Sequence, residues 1–219
     1  KFPDWETLPY DHFSPHQDII SERLRGLDAL RNAGQNVVVV PVGTLMTRTC
    51  PASFLTRYAF GIRVGQRIDL TEMRRQLEQA GYGYVPQVTE HGEFSVRGSL
   101  LDLFPMGSAS PLRIDLFDDE VETIRAFDPE TQRSTGTIEG VELMPAREVP
   151  IDEDGIAVFR RSWRARFEGD PTGCQVYREV SQGIAPAGIE YYLPLFFEAT
   201  STLFDYLPDD TQVIVAEGV

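Results

Sequence analysis

Lysine is nearly absent from this chain: Lys1 is the only one, and every other basic residue is arginine. Codon bias from a GC-rich genome accounts for that, and arginine also suits fork-shaped contacts with carboxylates; the two readings are compatible. Cysteine is scarce too. Cys50 and Cys174 are too few and too far apart for a disulfide framework, so a reducing cytoplasm is the expected compartment. No stretch approaches the ~20 apolar residues of a membrane helix, and no secretory leader pattern opens the chain, so no membrane partner is expected. The phosphate loop G-x-x-x-x-G-K-[ST], the G-x-S-x-G elbow and H-E-x-x-H are all missing. No catalytic residue, metal or cofactor is therefore expected. Positive charge is in deficit as well: 20 Lys and Arg stand against 34 Asp and Glu, a formal net charge of −14. Duplex DNA binding normally needs a basic face that releases counterions, so the balance favours protein partners.

What is present suits a globular α/β protein. The 219 residues allow one large domain or two small ones, with 42% hydrophobic and 25% charged residues. The chain opens on Lys1-Phe2-Pro3-Asp4-Trp5 and closes near the apolar Val213-Ile214-Val215, so both ends are expected to be cuts in a longer protein.

The first segment has α/β grammar. Ser14-Pro15 reads as a helix start, Ile20, Leu24, Leu27 and Leu30 follow at helical spacing, and Gly34 closes the run. Val37-Val38-Val39-Val40-Pro41-Val42 then predicts a strand buried on both faces, as in a parallel sheet. The middle segment changes character. Tyr58–Val64 alternates like a strand, and Asp69-Leu70-Thr71-Glu72 resembles a capping box for a helix to Ala80, capped by Gly81. Short strands are expected near Tyr84–Thr89, Phe94–Phe104, Leu112–Phe117, Val121–Phe127 and Thr137–Leu143. Turns fall at His91-Gly92, Gly107–Pro111, Asp118-Asp119 and Asp128-Pro129. In the third segment Ile156, Phe159, Trp163 and Phe167 mark an amphipathic helix. The aromatic Glu190–Phe197 run reads as core rather than an exposed partner surface. Thr211–Ala216 reads as a last buried strand.

His12 and His16 are four apart, but Pro15 between them argues against one helix carrying both as metal ligands. The informative constellation is the pair of segments 94–105 and 112–120. Along Leu112–Phe117, Leu112, Ile114 and Leu116 share the core face, while Arg113, Asp115 and Phe117 share the other. Arginine and an aromatic on a nominally solvent face are residue types that make interface hot spots. With Arg97 on a neighbouring strand, the result is an Arg97–Arg113–Phe117 platform open to water. In the competing reading Phe117 packs beneath a second layer and the arginines pair with local carboxylates.

Several stretches carry a resemblance. They are Asp4-Trp5-Glu6-Thr7-Leu8-Pro9-Tyr10-Asp11, Phe13-Ser14-Pro15-His16-Gln17-Asp18-Ile19-Ile20, Glu90-His91-Gly92-Glu93-Phe94, Arg97-Gly98-Ser99-Leu100-Leu101-Asp102-Leu103-Phe104-Pro105-Met106-Gly107-Ser108, Phe117-Asp118-Asp119-Glu120 and Pro186-Ala187-Gly188-Ile189-Glu190-Tyr191. With them the chain resembles the amino-terminal, UvrB-like region of bacterial transcription-repair coupling factor (Mfd). A shorter Arg-Gly…Asp…Pro…Phe-x-Asp-Glu echo is shared with UvrB itself.

The resemblance implies an incomplete helicase-like, UvrB-like parallel-sheet domain with a small inserted antiparallel α+β domain. It divides the chain into 1–57, 58–145 and 146–219, the middle part being the one that docks UvrA, with contacts on Arg97, Arg113 and Phe117. It implies recruitment of UvrA to start nucleotide excision repair where RNA polymerase has stalled. It also implies a fragment without catalysis of its own. RNA polymerase and DNA would be engaged only through domains outside this chain, and the carboxy-terminal module of the full-length protein would cover the UvrA surface in an autoinhibited state. The alternative is a helicase half that still binds nucleotide and DNA with residual ATPase activity.

Overall fold

The computed structural model describes residues 1–9, 12–31 and 37–216. In chain order the elements are α1 (Gln17–Arg31), α2 (Val42–Leu45), α3 (Ala52–Arg57), β1 (Phe60–Arg63), α4 (Leu70–Gln79), β2 (Gly83–Tyr84), β3 (Glu93–Arg97), β4 (Leu100–Leu103), β5 (Leu112–Phe117), β6 (Glu120–Phe127), β7 (Ser134–Ile138), β8 (Gly140–Leu143), α5 (Glu153–Arg166) and α6 (Gln175–Ser181). Among the described residues three short 3₁₀ turns complete the set, the longest at Ile189–Leu195. The fold is mixed α/β with two sheets, one of six strands in the order β2-β3-β4-β5-β6-β7 and one of two, β1-β8.

Helix α1 begins at Gln17, where the amides of Ile19 and Ile20 donate to the His16 carbonyl, so Pro15 lies just outside rather than at the first turn. Ile20, Leu24, Leu27 and Leu30 are buried as their spacing predicts, and Arg23 is buried among them. Gly34, read as its cap, lies outside the described residues. Helix α4 is capped as expected: the Asp69 carboxylate accepts from the Thr71 and Glu72 amides, and Gly81 follows at φ +91°. Its buried Met73 and Leu77 join Phe94, Leu101, Leu103, Leu112, Ile114 and Ile124 of the sheet in the main core. A second core gathers Phe159, Trp163, Tyr177, Val180, Leu193 and Phe196, so the aromatic run packs inward.

Several expectations need correction. Segment 94–104 is a hairpin, not one strand: Gly98 at φ +61° turns β3 back into β4. Segment 137–143 is divided between two sheets, β7 ending the large one and β8 pairing antiparallel with β1. Of 84–89 only Tyr84 is in a strand. The two runs read as buried strands, 37–42 and 211–216, are neither buried nor strands. Val37 is 92% exposed and Ile214 is 90% exposed. The reason is missing partners: among the described residues no strand lies alongside either run, although the Phe2 amide donates to the Val39 carbonyl of the first. β-Branched side chains favour a strand only where a sheet receives them. Among the described residues, the parallel pairing is confined to β2 and β3.

A buried ion pair ties the parts together. Arg23 Nε donates to Glu148 Oε1 at 2.6 Å and Nη2 to Oε2 at 3.3 Å, while Nη1 donates to the Pro3 carbonyl at 3.0 Å. The guanidinium lies 4.8 Å from the ring centroids of both Phe2 and Trp5. Helix α1, the opening segment and the chain leaving β8 thus share one charge pair sealed from water.

Candidate docking face

The site is built by strand register. Asp102 of β4 stands opposite Ser95 of β3 and Arg113 of β5, and Arg113 stands opposite Arg125 of β6. Residues directly opposite share a face, so these side chains lie on the side of the sheet away from α4. Arg97, Asp115 and Phe117 follow on that face at period two. The burial alternation of β5 agrees: Leu112, Ile114 and Leu116 are buried, and Arg113, Asp115 and Phe117 are not.

Asp102 is the centre of the arrangement. Its side chain is 1% exposed, yet it meets two arginines. Arg113 grips it with both arms of its fork, Nε to Oδ1 at 2.8 Å and Nη2 to Oδ2 at 2.9 Å. Arg97 Nη2 donates to Oδ2. Bidentate, charge-assisted pairing of this kind is among the stronger hydrogen bonds and fixes the planes of both groups. The bond to Asp102 also raises the pKa of Arg113 above its ordinary value, against the opposing effect of desolvation. The Arg113 guanidinium lies 4.9 Å from the ring centroid of buried Phe127, and its Nη1 donates to the Gln132 carbonyl at 3.4 Å. On the neighbouring row Asp115 accepts from Arg125 Nη2 and from the Thr123 hydroxyl, the latter at 2.9 Å.

The three residues singled out in the sequence are therefore placed unequally. Arg97 and Arg113 meet, but through a carboxylate between them. Phe117 stands on the same face at the end of β5, 71% exposed, just before the turn in which Asp118 takes φ 55°. The expectation of an open Arg–Arg–Phe platform is corrected for Arg113, whose side chain is only 17% exposed against 50% for Arg97. Phe117 is not packed beneath a second layer, whereas the pairing of the arginines with local carboxylates holds. Sequence reasoning missed Asp102. The available signal was an acid inside the apolar run Leu100-Leu101-Asp102-Leu103, facing two arginine-bearing strands.

The surface here is a sheet face rather than a pocket. Two clefts elsewhere have volumes of about 320 and 210 Å³, and neither is lined by Arg97, Arg113 or Phe117. Among the described residues, no group of three His, Cys, Asp or Glu side chains is placed to hold a metal, and His16 instead accepts from the Asp18 amide at 3.3 Å. His91 sits in its turn with Nδ1 2.7 Å from Asp18 Oδ1 and Nε2 2.9 Å from the Ser108 carbonyl. Among those residues, no helix is long and apolar enough to cross a membrane.

Residues 60–149 match the family model described as the UvrB interaction domain, a range that contains every residue of this face. Across nearly the whole chain there is similarity to transcription-repair-coupling factors. The transcription-repair-coupling factor of Haemophilus influenzae is 51% identical over 220 residues, covering 99% of this chain and 19% of its own length. That of Escherichia coli is 51% identical over 212 residues, with 96% and 18% covered, and that of Myxococcus xanthus is 36% identical over 218, with 95% and 18% covered. The chain spans about a fifth of the length of the curated relatives it matches. The chain belongs to the transcription-repair coupling factor family, as the UvrB-like segment that carries the UvrB interaction domain.

Proposed function

We propose that the sheet face bearing Arg97, Arg113 and Phe117 is a landing surface for UvrA, and that the chain recruits UvrA to start nucleotide excision repair where RNA polymerase has stalled. The observation that carries this reading is Phe117: a phenyl ring left 71% exposed on the same sheet face as Arg97 and Arg113, inside a UvrB interaction domain. Exposed aromatic and arginine side chains supply much of the binding energy at protein interfaces. A flat face of this kind suits a protein partner better than a small molecule, which needs a concave site. In this reading the chain divides into 1–57, 58–145 and 146–219, the outer parts being helicase-like and without catalysis of their own. RNA polymerase and DNA are met by other domains of the longer family members, and their carboxy-terminal module competes for the same face.

Calorimetric titration of UvrA into the chain tests the reading. Phe117→Ala and Arg113→Ala are each expected to weaken binding by roughly 2 kcal/mol, the scale of an interface hot spot. Unchanged affinity in both, with the fold intact by circular dichroism, overturns it.

A further inference from the structure

Arg97 and Arg113 of the docking face are not equivalent, and the difference lies in how their donors are used. A guanidinium carries five N–H groups. In Arg113 three have partners: Nε and Nη2 on Asp102, and Nη1 on the Gln132 carbonyl. Its plane lies against Phe127, and little of it reaches solvent. Arg97 has one such bond, from Nη2 to Asp102 Oδ2, and half of its side chain is exposed. Asp102 is sealed at the base between them, with both oxygens occupied.

We propose that Asp102 is the positioning residue of the docking face, that Arg113 is the inner arm of the brace it forms, and that Arg97 is the guanidinium delivered to the partner. This rests on the UvrA reading above and deepens it. Asp102 touches no partner. It removes the freedom of a long side chain before binding, so that ordering Arg97 does not have to be met from the energy of association. Arg113 holds the carboxylate plane at the angle from which Arg97 can bond one oxygen and still turn its remaining donors outward. The partner patch that fits is a carboxylate for Arg97 near an apolar recess for Phe117. Arg97 stands level with Asp115 across two strand spacings, and Phe117 lies two residues further along β5. The Cα atoms of Arg97 and Phe117 are thus about 10 Å apart across the sheet and about 7 Å along it.

The charge balance makes the test decisive in sign. Asp102→Asn keeps the size of the side chain and removes one negative charge from the face. If the face worked by charge alone, the variant would bind an acidic patch as well as or better than the parent. A positioning role predicts the reverse: about tenfold weaker UvrA binding, with Arg97→Ala adding little in the Asp102→Asn background because the head it removes is already misplaced. Asp102→Glu is the second variant, for the case in which Asp102→Asn does not fold. It keeps the charge and both ion pairs but moves the anchor by one methylene, and the same loss is expected. Phe117→Ala serves as the reference, its effect multiplying with that of either Asp102 variant. If Phe117→Ala and Arg97→Ala weaken binding while a folded Asp102 variant binds like the parent, or if the Asp102 and Arg97 effects simply multiply, the positioning role is wrong and the docking face stands. If neither Phe117→Ala nor Arg97→Ala changes the affinity, the docking face itself is wrong.

Discussion

The molecule uses an arginine clasped to a carboxylate in two places, with different results. At Arg23–Glu148 both side chains are buried, two aromatic rings lie against the guanidinium, and a backbone carbonyl takes a further donor. At Asp102 the carboxylate is equally buried, but one of its arginines stays half in water. The chemistry is the same and the surroundings decide its use. A pair closed on all sides can only hold parts of the chain together, whereas a pair closed on one side leaves donors to offer. Sequence separation follows the same division: Arg23 and Glu148 join distant segments, while Arg97, Asp102 and Arg113 come from three consecutive strands.

Substitutions can break or sharpen this contrast. The largest effect is expected at the closed pair. Glu148→Ala leaves the buried Arg23 charge without its carboxylate and should cost about 3–5 kcal/mol of stability in a urea titration. Asp102→Ala should cost less, about 1–3 kcal/mol, because Arg97 can turn to solvent. Equal losses at the two sites would show that openness is not what separates them. Glu190 supplies a third case, a buried carboxylate bonded by the Ser14 hydroxyl at 3.0 Å rather than by a guanidinium. Desolvation raises its pKa above the usual glutamate range. The folded state therefore holds the proton more tightly than the unfolded chain does. The associated stability is present below the ordinary carboxylate pKa and is lost as pH rises through the raised value. Glu190→Gln should thus stabilise the protein near neutrality by on the order of 1 kcal/mol and confer nothing near pH 4, read from melting curves at the two pH values. The smallest effect belongs to Phe117→Ser: stability should stay within about 0.5 kcal/mol of the parent, since the ring is already in water.

The legible parts of this fold were those whose cause is local. The Asp69 cap, the alternation of Leu112–Phe117, the Asp118-Asp119 turn and the buried stripe of α1 each depend on neighbours within a few residues. What was not legible depends on a distant partner. The valine run at 37–40 has all the local preference of a strand and no strand beside it among the described residues. The Gly98-Ser99 turn was a local signal and was overlooked, because the apolar residues on both sides read as one run. At the docking face, alternation identified Arg113 and Phe117 as sharing a side of the sheet. It could not reveal that Asp102 lies between Arg97 and Arg113, because that depends on the register of β3, β4 and β5.

The pairing of β1 with β8 has a wider consequence. Phe60 lies opposite Leu143 and Arg63 opposite Gly140, so the chain departs for the large sheet and comes back from it at neighbouring points. The chain between them leaves and returns through that one ribbon, while its core is shared with α1, where His91 also reaches Asp18. A region inserted in that way can be lengthened without spreading the strands that hold its ends, because the host receives its chain back within a strand's width of where it let go.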